Sequence, residues 1–298
     1  ICEFGLIKEK IAKMAVRLFA SESITYRTAG LIQRRLESSD KGAESGGIGT
    51  AEALREYLVE CSINKVLGSE TEGYVVDEEM QIFGGYGYIR GNHPELAYRH
   101  ARPNRIWEGT NEINRTVIMN TMLARVMKGP FDLRSAFALA SAAVGNPGAA
   151  TSDEPESLKA QEGLLRACKQ VFLYLFGLAY QRHGQDLREE QALVGLLSDM
   201  IIGIYALDTT LLRNQKLSRA KKSDKSALSL KMTKVLFHES VEWMGFLARQ
   251  LLEALEEGVA LRRDLENVRR LMCPPPMNSV ALRREIADSM IRYGGYYV

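Results

Sequence analysis

Leu6-Ile7-Lys8-Glu9-Lys10-Ile11-Ala12-Lys13-Met14-Ala15-Val16-Arg17-Leu18-Phe19 sets the class of the fold. Its apolar residues Leu6, Ile7, Ile11, Met14, Ala15, Leu18 and Phe19 recur at steps of about three to four residues, the period of an amphipathic helix. No proline interrupts residues 4–36, and a single glycine, Gly30, is tolerable within a helix of that length. The spacing therefore predicts a helix over 4–36. Outward from it, residues 38–47 read as a polar, glycine-bearing loop. A second helix is predicted over 51–67, with Leu54, Leu58, Cys61 and Val66 on or near one face, and Gly68-Ser69-Glu70 is expected to break it. A third covers 71–83 and ends at glycines. Residues 90–105, with Pro94 and Pro103, read as a polar loop. The helix predicted from Thr110 to about Lys128 is apolar on several faces (Ile113, Val117, Ile118, Met122, Leu123, Val126), a pattern that argues burial between other helices.

Gly129-Pro130 closes the first half. A short helix over 131–144 is followed by the clearest linker in the chain, 145–156, rich in Gly, Pro and acidic residues. Further helices are predicted over 157–183, 189–219, 225–257, 259–271 and 279–293, the fourth stopped by Pro274-Pro275-Pro276. No alternating run bounded by turn residues predicts a strand. The expected fold class is all-α: a helical bundle over 1–130, a linker with a short helix over 131–156, and a second helical bundle over 157–298.

The 298 residues are 46% hydrophobic and 26% charged, with a net charge of +2, a balance that argues against nucleic acid as a partner. Cys2, Cys61, Cys168 and Cys273 form no CxxC pair, and His93, His100, His183 and His238 form no HxxxH pattern. Reduced thiols and no metal centre are expected. No window reaches the roughly 18 apolar residues expected of a membrane-spanning helix. The chain opens Ile1-Cys2-Glu3-Phe4, with neither an initiator methionine nor a signal segment, and reads as a possible fragment.

Two stretches carry candidate chemistry. In Ile106-Trp107-Glu108-Gly109-Thr110-Asn111-Glu112, a carboxylate stands just ahead of a Gly-Thr-Asn turn and an apolar helix. Thr110 or Asn111 before such a run is ordinary N-capping, and Glu112 in the first turn suits the helix dipole. Equally, Glu108 at a helix mouth, between Trp107 and a glycine that lets a ligand approach, suits a general base in a dry pocket. In Gln81-Ile82-Phe83-Gly84-Gly85-Tyr86-Gly87, glycines at a helix end serve as C-caps, or else present bare backbone N–H groups to phosphate oxygens. The segment is not a GxGxxG fingerprint, since no strand precedes it.

Together the two stretches are more specific. Gln-x-x-Gly-Gly-x-Gly, a proline-containing polar loop, an arginine-bearing stretch (Arg99, Arg102, Arg105) and Ile-x-Glu-Gly-Thr-Asn-Glu-Ile, in that order, resemble the C-terminal signature of acyl-CoA dehydrogenases. Gln81 and Glu108 stand 27 positions apart, as in that family. The resemblance covers residues 1 to about 130. The second half resembles, more loosely, the helical extension of very-long-chain acyl-CoA dehydrogenases and their bacterial relatives.

The resemblance implies an FAD enzyme that oxidises the Cα–Cβ bond of a long-chain acyl-CoA to a trans-2-enoyl-CoA, as in fatty acid β-oxidation. It implies Glu108 as the base that takes the α-proton, and positioned proton transfer of this kind contributes about 10²–10⁴-fold. Trp107 matches an aromatic residue against the thioester and flavin, and Gly109 a substrate-contacting glycine. Thr110, Asn111 and Glu112 match residues near the flavin's nucleotide portion. Gln81, Ile82, Phe83, Gly84 and Gly85 match a segment that meets the adenosine-diphosphate portion of FAD in the neighbouring subunit, which implies a homodimer or homotetramer. Electron-transfer flavoprotein is the acceptor the family implies. The implied location is the cytoplasm of a bacterium or the mitochondrial matrix of a eukaryote.

The family's N-terminal helical and middle β-domains are not in this chain, so the isolated polypeptide is expected to bind FAD weakly and to be inactive. In the second half, Arg213, Lys216, Arg219, Lys221, Lys222 and Lys225 follow an apolar run from Met200 to Leu207. This is either a core helix with a basic, exposed end or a peripheral membrane-surface patch. The alternative to an enzyme fragment is a non-catalytic helical interaction or membrane-docking module that keeps the family's fold.

Overall fold

The computed structural model describes residues 1–39, 48–146, 158–219 and 223–298. The cores of the expected loop at 38–47 and linker at 145–156, and Lys221 and Lys222, lie outside the described residues. Those described are almost wholly helical, without a strand.

Helix α1 (Gly5–Ser39) follows the predicted pattern, with Ala12, Ala15, Val16, Phe19 and Ile24 buried. Helices α2 (Ile48–Glu56) and α3 (Leu58–Phe83) differ from expectation. The predicted single helix over 51–67 is interrupted at Tyr57. At Gly68, where a break was expected, α3 runs straight through. An interior glycine costs a helix about 1 kcal/mol, and burial of Val59, Ile63, Val66 and Val76 outweighs it. A single turn, α4 (Gly85–Tyr88), follows.

The expected polar loop over 90–105 is helix α5 (His93–Ala101) and a 3₁₀ turn, Arg102–Arg105. Pro94 lies in the first turn of α5, where its missing N–H costs nothing. Glu95, buried, accepts from the Gly91 N–H at 3.2 Å and pairs with Arg99 at 2.6 Å, so the helix start is satisfied from within the segment.

Helix α6 (Asn111–Met127) lies between α3 and α9 (Gln191–Arg219) and buries Ile118, Met119 and Leu123. Its burial is narrower than the sequence suggested, because Ile113 is exposed. The remaining helices are α7 (Leu133–Gly145), α8 (Lys159–His183), α10 (Ser223–Leu255), α11 (Gly258–Leu271) and α12 (Ser279–Tyr293).

Residues from both halves of the chain share each of the three apolar cores. The largest joins Met119 and Leu123 of α6 to α7–α11. A second joins α1 to Leu228, Met232 and Val235 of α10 and Ile286 of α12. The third joins Ile24, Ile63 and Ile118 to Ile202 and Ala206 of α9. Helix α9 packs on α1, α6, α8 and α10. It is the one helix among the described residues long and apolar enough to cross a membrane, with a mean hydropathy of 1.5 over its best window. The sequence reading found no such segment. Half of that window is buried against the other helices, the behaviour of a core helix.

Candidate active site

The approach to α6 is built from its N-terminus backwards. Thr110 is the N-cap, its Oγ1 accepting from the Ile113 N–H at 3.3 Å. Ahead of it, Glu108 and Gly109 both adopt left-handed backbone, at φ 55° and 75°. Among the described residues Glu108 is the only non-glycine with positive φ. That conformation costs an L-residue roughly 1–2 kcal/mol, so the surroundings must hold it. Asn114, one turn into α6, does so. Its Nδ2 donates to the carbonyls of Glu108, Gly109 and Thr110 at 3.3, 2.9 and 3.2 Å.

The turn is exposed. Trp107 is 58% accessible, and Ile106 and Ile113 beside it are equally open. Glu108 thus stands at the surface with an apolar rim. Glu112 lies in the first turn of α6, its carboxyl held below its ordinary value by its own backbone N–H and the Thr110 hydroxyl.

Asn111 points the other way. It is 3% accessible, and its Oδ1 accepts from Lys65 Nζ at 2.7 Å and Ser69 Oγ at 3.2 Å, while Nδ2 donates to Glu70 Oε1 at 3.1 Å. Its side chain ties α6 to α3. Burial lowers the Lys65 ammonium's pKa, against the pull of the Glu112, Glu70 and Glu108 carboxylates around it. Glu70 also pairs with Arg115 at 2.9 Å, and Arg115 Nε donates to Asp199 of α9 at 2.7 Å. Burial raises the Asp199 carboxyl, and the Arg115 guanidinium offsets part of that shift.

The glycine segment caps the far end of α3. Its glycines are not equivalent. Gly84 has φ 60° and turns the chain. Gly87 is steric: a Cβ there would come within 2.8 Å of the Met80 carbonyl oxygen and Phe83 Cβ. Gly85 is bound by neither constraint, since its φ is not left-handed and nothing lies within 4 Å of a Cβ built on it. Gln81, Phe83, Gly84 and Gly85 are exposed and Ile82 is half-buried.

Within one chain the two stretches do not meet. Gly84 stands fourteen positions beyond Glu70, which lies in α3 behind the Glu108 turn, and that is about 20 Å along a helix axis. Trp107, Glu108, Gly109 and Thr110 share one turn, while Gln81 to Gly85 form a second surface. Sequence reasoning missed Asn114, Lys65, Arg115 and Asp199. The adjacent Asn114-Arg115 pair, one turn into α6, was the available signal.

The comparisons with known proteins agree with this architecture. Two family models, each described as "Acyl-CoA dehydrogenase, C-terminal domain", match residues 1–123 and 167–270, together most of the chain. The chain belongs to the acyl-CoA dehydrogenase family. A probable acyl-CoA dehydrogenase of Bacillus subtilis is 36% identical over all of this chain and half of that protein. The very long-chain specific acyl-CoA dehydrogenase of Bos taurus mitochondria is 27% identical over 72% of the chain and 32% of its own length. The crystal structure of an acyl-CoA dehydrogenase from Bacillus anthracis, complexed with FAD, superposes with a TM-score of 0.94 at 36% identity, covering all of this chain and half of that one. The chain therefore spans half or less of the length of the relatives it matches.

The expected basic patch is partly used internally. Arg213 pairs with Glu22 at 2.6 Å and lies over the Phe19 ring, and the Lys225 ammonium sits 4.4 Å from the centre of the Tyr297 ring.

Proposed function

We propose that this chain is the C-terminal helical part of an FAD-dependent acyl-CoA dehydrogenase, with Glu108 as the base that removes the α-proton of a long-chain acyl-CoA. The observation that carries the reading is the left-handed backbone at Glu108, held by the Asn114 amide. Strained non-glycine residues persist where the surroundings over-determine them, and they cluster at functional sites. A cap alone needs no strained carboxylate ahead of Thr110.

Glu108 Oε takes the proton from Cα, and the Cα–H electron pair becomes the new double bond as hydride leaves Cβ. FAD, when bound, supplies the two-electron acceptor for that hydride. Exposed Trp107 offers an aromatic wall for the thioester, and Gly109 leaves room for the acyl group. The open backbone at Gly84 and Gly85 fits a nucleotide's phosphates, and its distance from Glu108 suits a cofactor bound by a second copy of the chain. Phe83, Tyr86 and Tyr88 around the glycine segment, and Trp107 on the separate Glu108 turn, are exposed aromatic side chains of the kind that partners cover.

Long-chain acyl groups are favoured because similarity to the very-long-chain enzyme extends over 72% of the chain and so into its second half. Electron-transfer flavoprotein is the proposed acceptor. In the complete protein, Glu108→Gln should abolish turnover of a long-chain acyl-CoA with FAD still bound. Undiminished turnover would reject Glu108 as the base and favour a non-catalytic interaction module.

A further inference from the structure

Helix α9 belongs to the second half of the chain, yet two of its adjacent residues grip a single residue of α6. Ser198, fully buried, donates from Oγ to the Arg115 carbonyl at 2.7 Å. Asp199 accepts from Arg115 Nε at 2.7 Å. One contact holds the main chain and the other the side chain, so α6 can neither rotate nor slide without breaking both. Arg115 directly follows Asn114, whose amide closes the Glu108–Thr110 carbonyls. Its guanidinium also pairs with Glu70, and Glu70 Oε1 accepts from Asn111. A continuous polar chain therefore runs Asp199–Arg115–Glu70–Asn111 behind the turn that presents Glu108.

We propose that Ser198 and Asp199 are positioning residues for the Glu108 turn, so that the second helical half helps to place a base carried by the first. This rests on the reading of Glu108 as the base. From Leu193 to Leu207, Asp199 is the only charged residue in an otherwise apolar stretch of α9. A largely buried ion pair adds little stability over a well-packed apolar pair, but it fixes register. Burial disfavours the Asp199 charge, so a core helix gains nothing from placing it there unless Arg115 needs holding. The same contact explains how α6 keeps its rotational setting although its first turn, with Ile113 exposed, has little apolar packing of its own.

The test uses this chain and needs no turnover. Amide hydrogen exchange is followed by NMR in the wild type, Asp199→Asn, Ser198→Ala and the conservative Asp199→Glu. Two N–H groups are compared: that of Asn114, bonded to Thr110 at 2.9 Å, and that of Leu175 in the core of α8. Asp199→Asn should speed exchange at Asn114 by about tenfold, while Leu175 keeps its wild-type rate, because local opening is set by local contacts. Ser198→Ala should act in the same direction, and Asp199→Glu should restore part of the protection. Exchange that accelerates equally at both sites, or at neither, overturns the proposal. Should Asp199→Asn fail to fold, Ser198→Ala is judged by the same criterion. Glu108→Gln should leave Asn114 exchange unchanged, so failure of the base is read separately from failure of the clamp. In the complete protein, loss of positioning should lower kcat with KM retained.

Discussion

The side-chain nitrogen of Asn114 reaches back six residues to the carbonyl of Glu108, and the same nitrogen serves the carbonyls of Gly109 and Thr110. Two hydrogens therefore serve three acceptors, of which that of Thr110 also accepts the first helical N–H, from Asn114 at 2.9 Å, while those of Glu108 and Gly109 lie ahead of the helical ladder. Asn114→Ala leaves the Glu108 and Gly109 carbonyls without a protein donor, while Thr110 keeps the backbone N–H of residue 114, and should cost about 1–3 kcal/mol. Urea denaturation of this chain measures it. Asn114→Asp should be worse still at neutral pH, since a carboxylate faces the carbonyls. A loss below about 0.5 kcal/mol for the alanine variant would remove Asn114 as the clamp.

Glu108→Gly should raise stability or leave it unchanged. Relief of the left-handed conformation returns roughly 1–2 kcal/mol, and the added freedom of glycine in the unfolded chain takes back about 0.4–1 kcal/mol. At an ordinary exposed position the same change destabilises. Thermal unfolding should therefore show a Tm equal to or above that of the wild type. A fall of more than about 2 °C, in a chain of this size close to 1 kcal/mol, would mean that the backbone there is not under strain.

Gly85 and Gly87 should respond in opposite ways to alanine. Gly87→Ala drives a Cβ to 2.8 Å from the Met80 carbonyl oxygen and Phe83 Cβ, and overpacking of that kind costs about 1–3 kcal/mol. Gly85→Ala meets nothing within 4 Å and should stay within about 0.5 kcal/mol of the wild type. In the complete protein it should nevertheless weaken FAD retention, measured by flavin absorbance after gel filtration. Unchanged retention would reduce Gly85 to a turn residue.

Glu256 and Asp264, beside Tyr174 and Arg263, give the folded chain a pH dependence. Burial and then the Asp264 carboxyl push the Glu256 carboxyl up to about 7 from an ordinary 4.5. Its Oε2 is buried without a donor, an arrangement that is satisfied once Glu256 carries a proton and gives it to Asp264. Asp264 itself is held low: burial works against its charge, and the Arg263 guanidinium and Tyr174 hydroxyl outweigh that. Between pH 4.5 and 7 the unfolded chain has released a proton that the folded chain still binds, so stability falls as pH rises through that window. Glu256→Gln keeps a donor towards Asp264 and removes the titration. It should match the wild type near pH 4.5 and exceed it at pH 8, as followed by denaturant midpoints. A variant no more stable than the wild type at pH 8 would show that the pair shares no proton.

The helices were legible wherever apolar residues kept a helical period over long stretches, as in α1, α9 and α12. The errors fell where a local breaker was outweighed by its surroundings. Gly68 was read as a stop, but the apolar contacts on either side of it in α3 exceed what one glycine costs. Pro94 was read as loop, although Asn92-His93-Pro94-Glu95 carries a helix start, with proline in the first turn and a carboxylate reaching back to the Gly91 N–H. At the site, the sequence pointed to Glu108 and Gly109 but not to what holds them. Asn114 acts through one side-chain nitrogen, and Asp199 lies 84 positions from Arg115, a separation that no local pattern records. By its place in the motif Asn111 matches a residue near the flavin's nucleotide portion, and the bonds that hold its side chain to Lys65, Ser69 and Glu70 could not be read from that motif.

Helix α9 has a consequence for how this chain is made. Residues 191–219 leave the ribosome before α10, against which they pack, has been synthesised. For that interval the nascent chain offers insertion machinery a segment whose length and apolarity match a membrane span. Asp199 places a carboxylate within it, and a charge near the bilayer centre raises the cost of insertion by about 2.5–3.5 kcal/mol. The carboxylate that grips Arg115 in the finished protein thus also helps to keep the unfinished one out of the lipid.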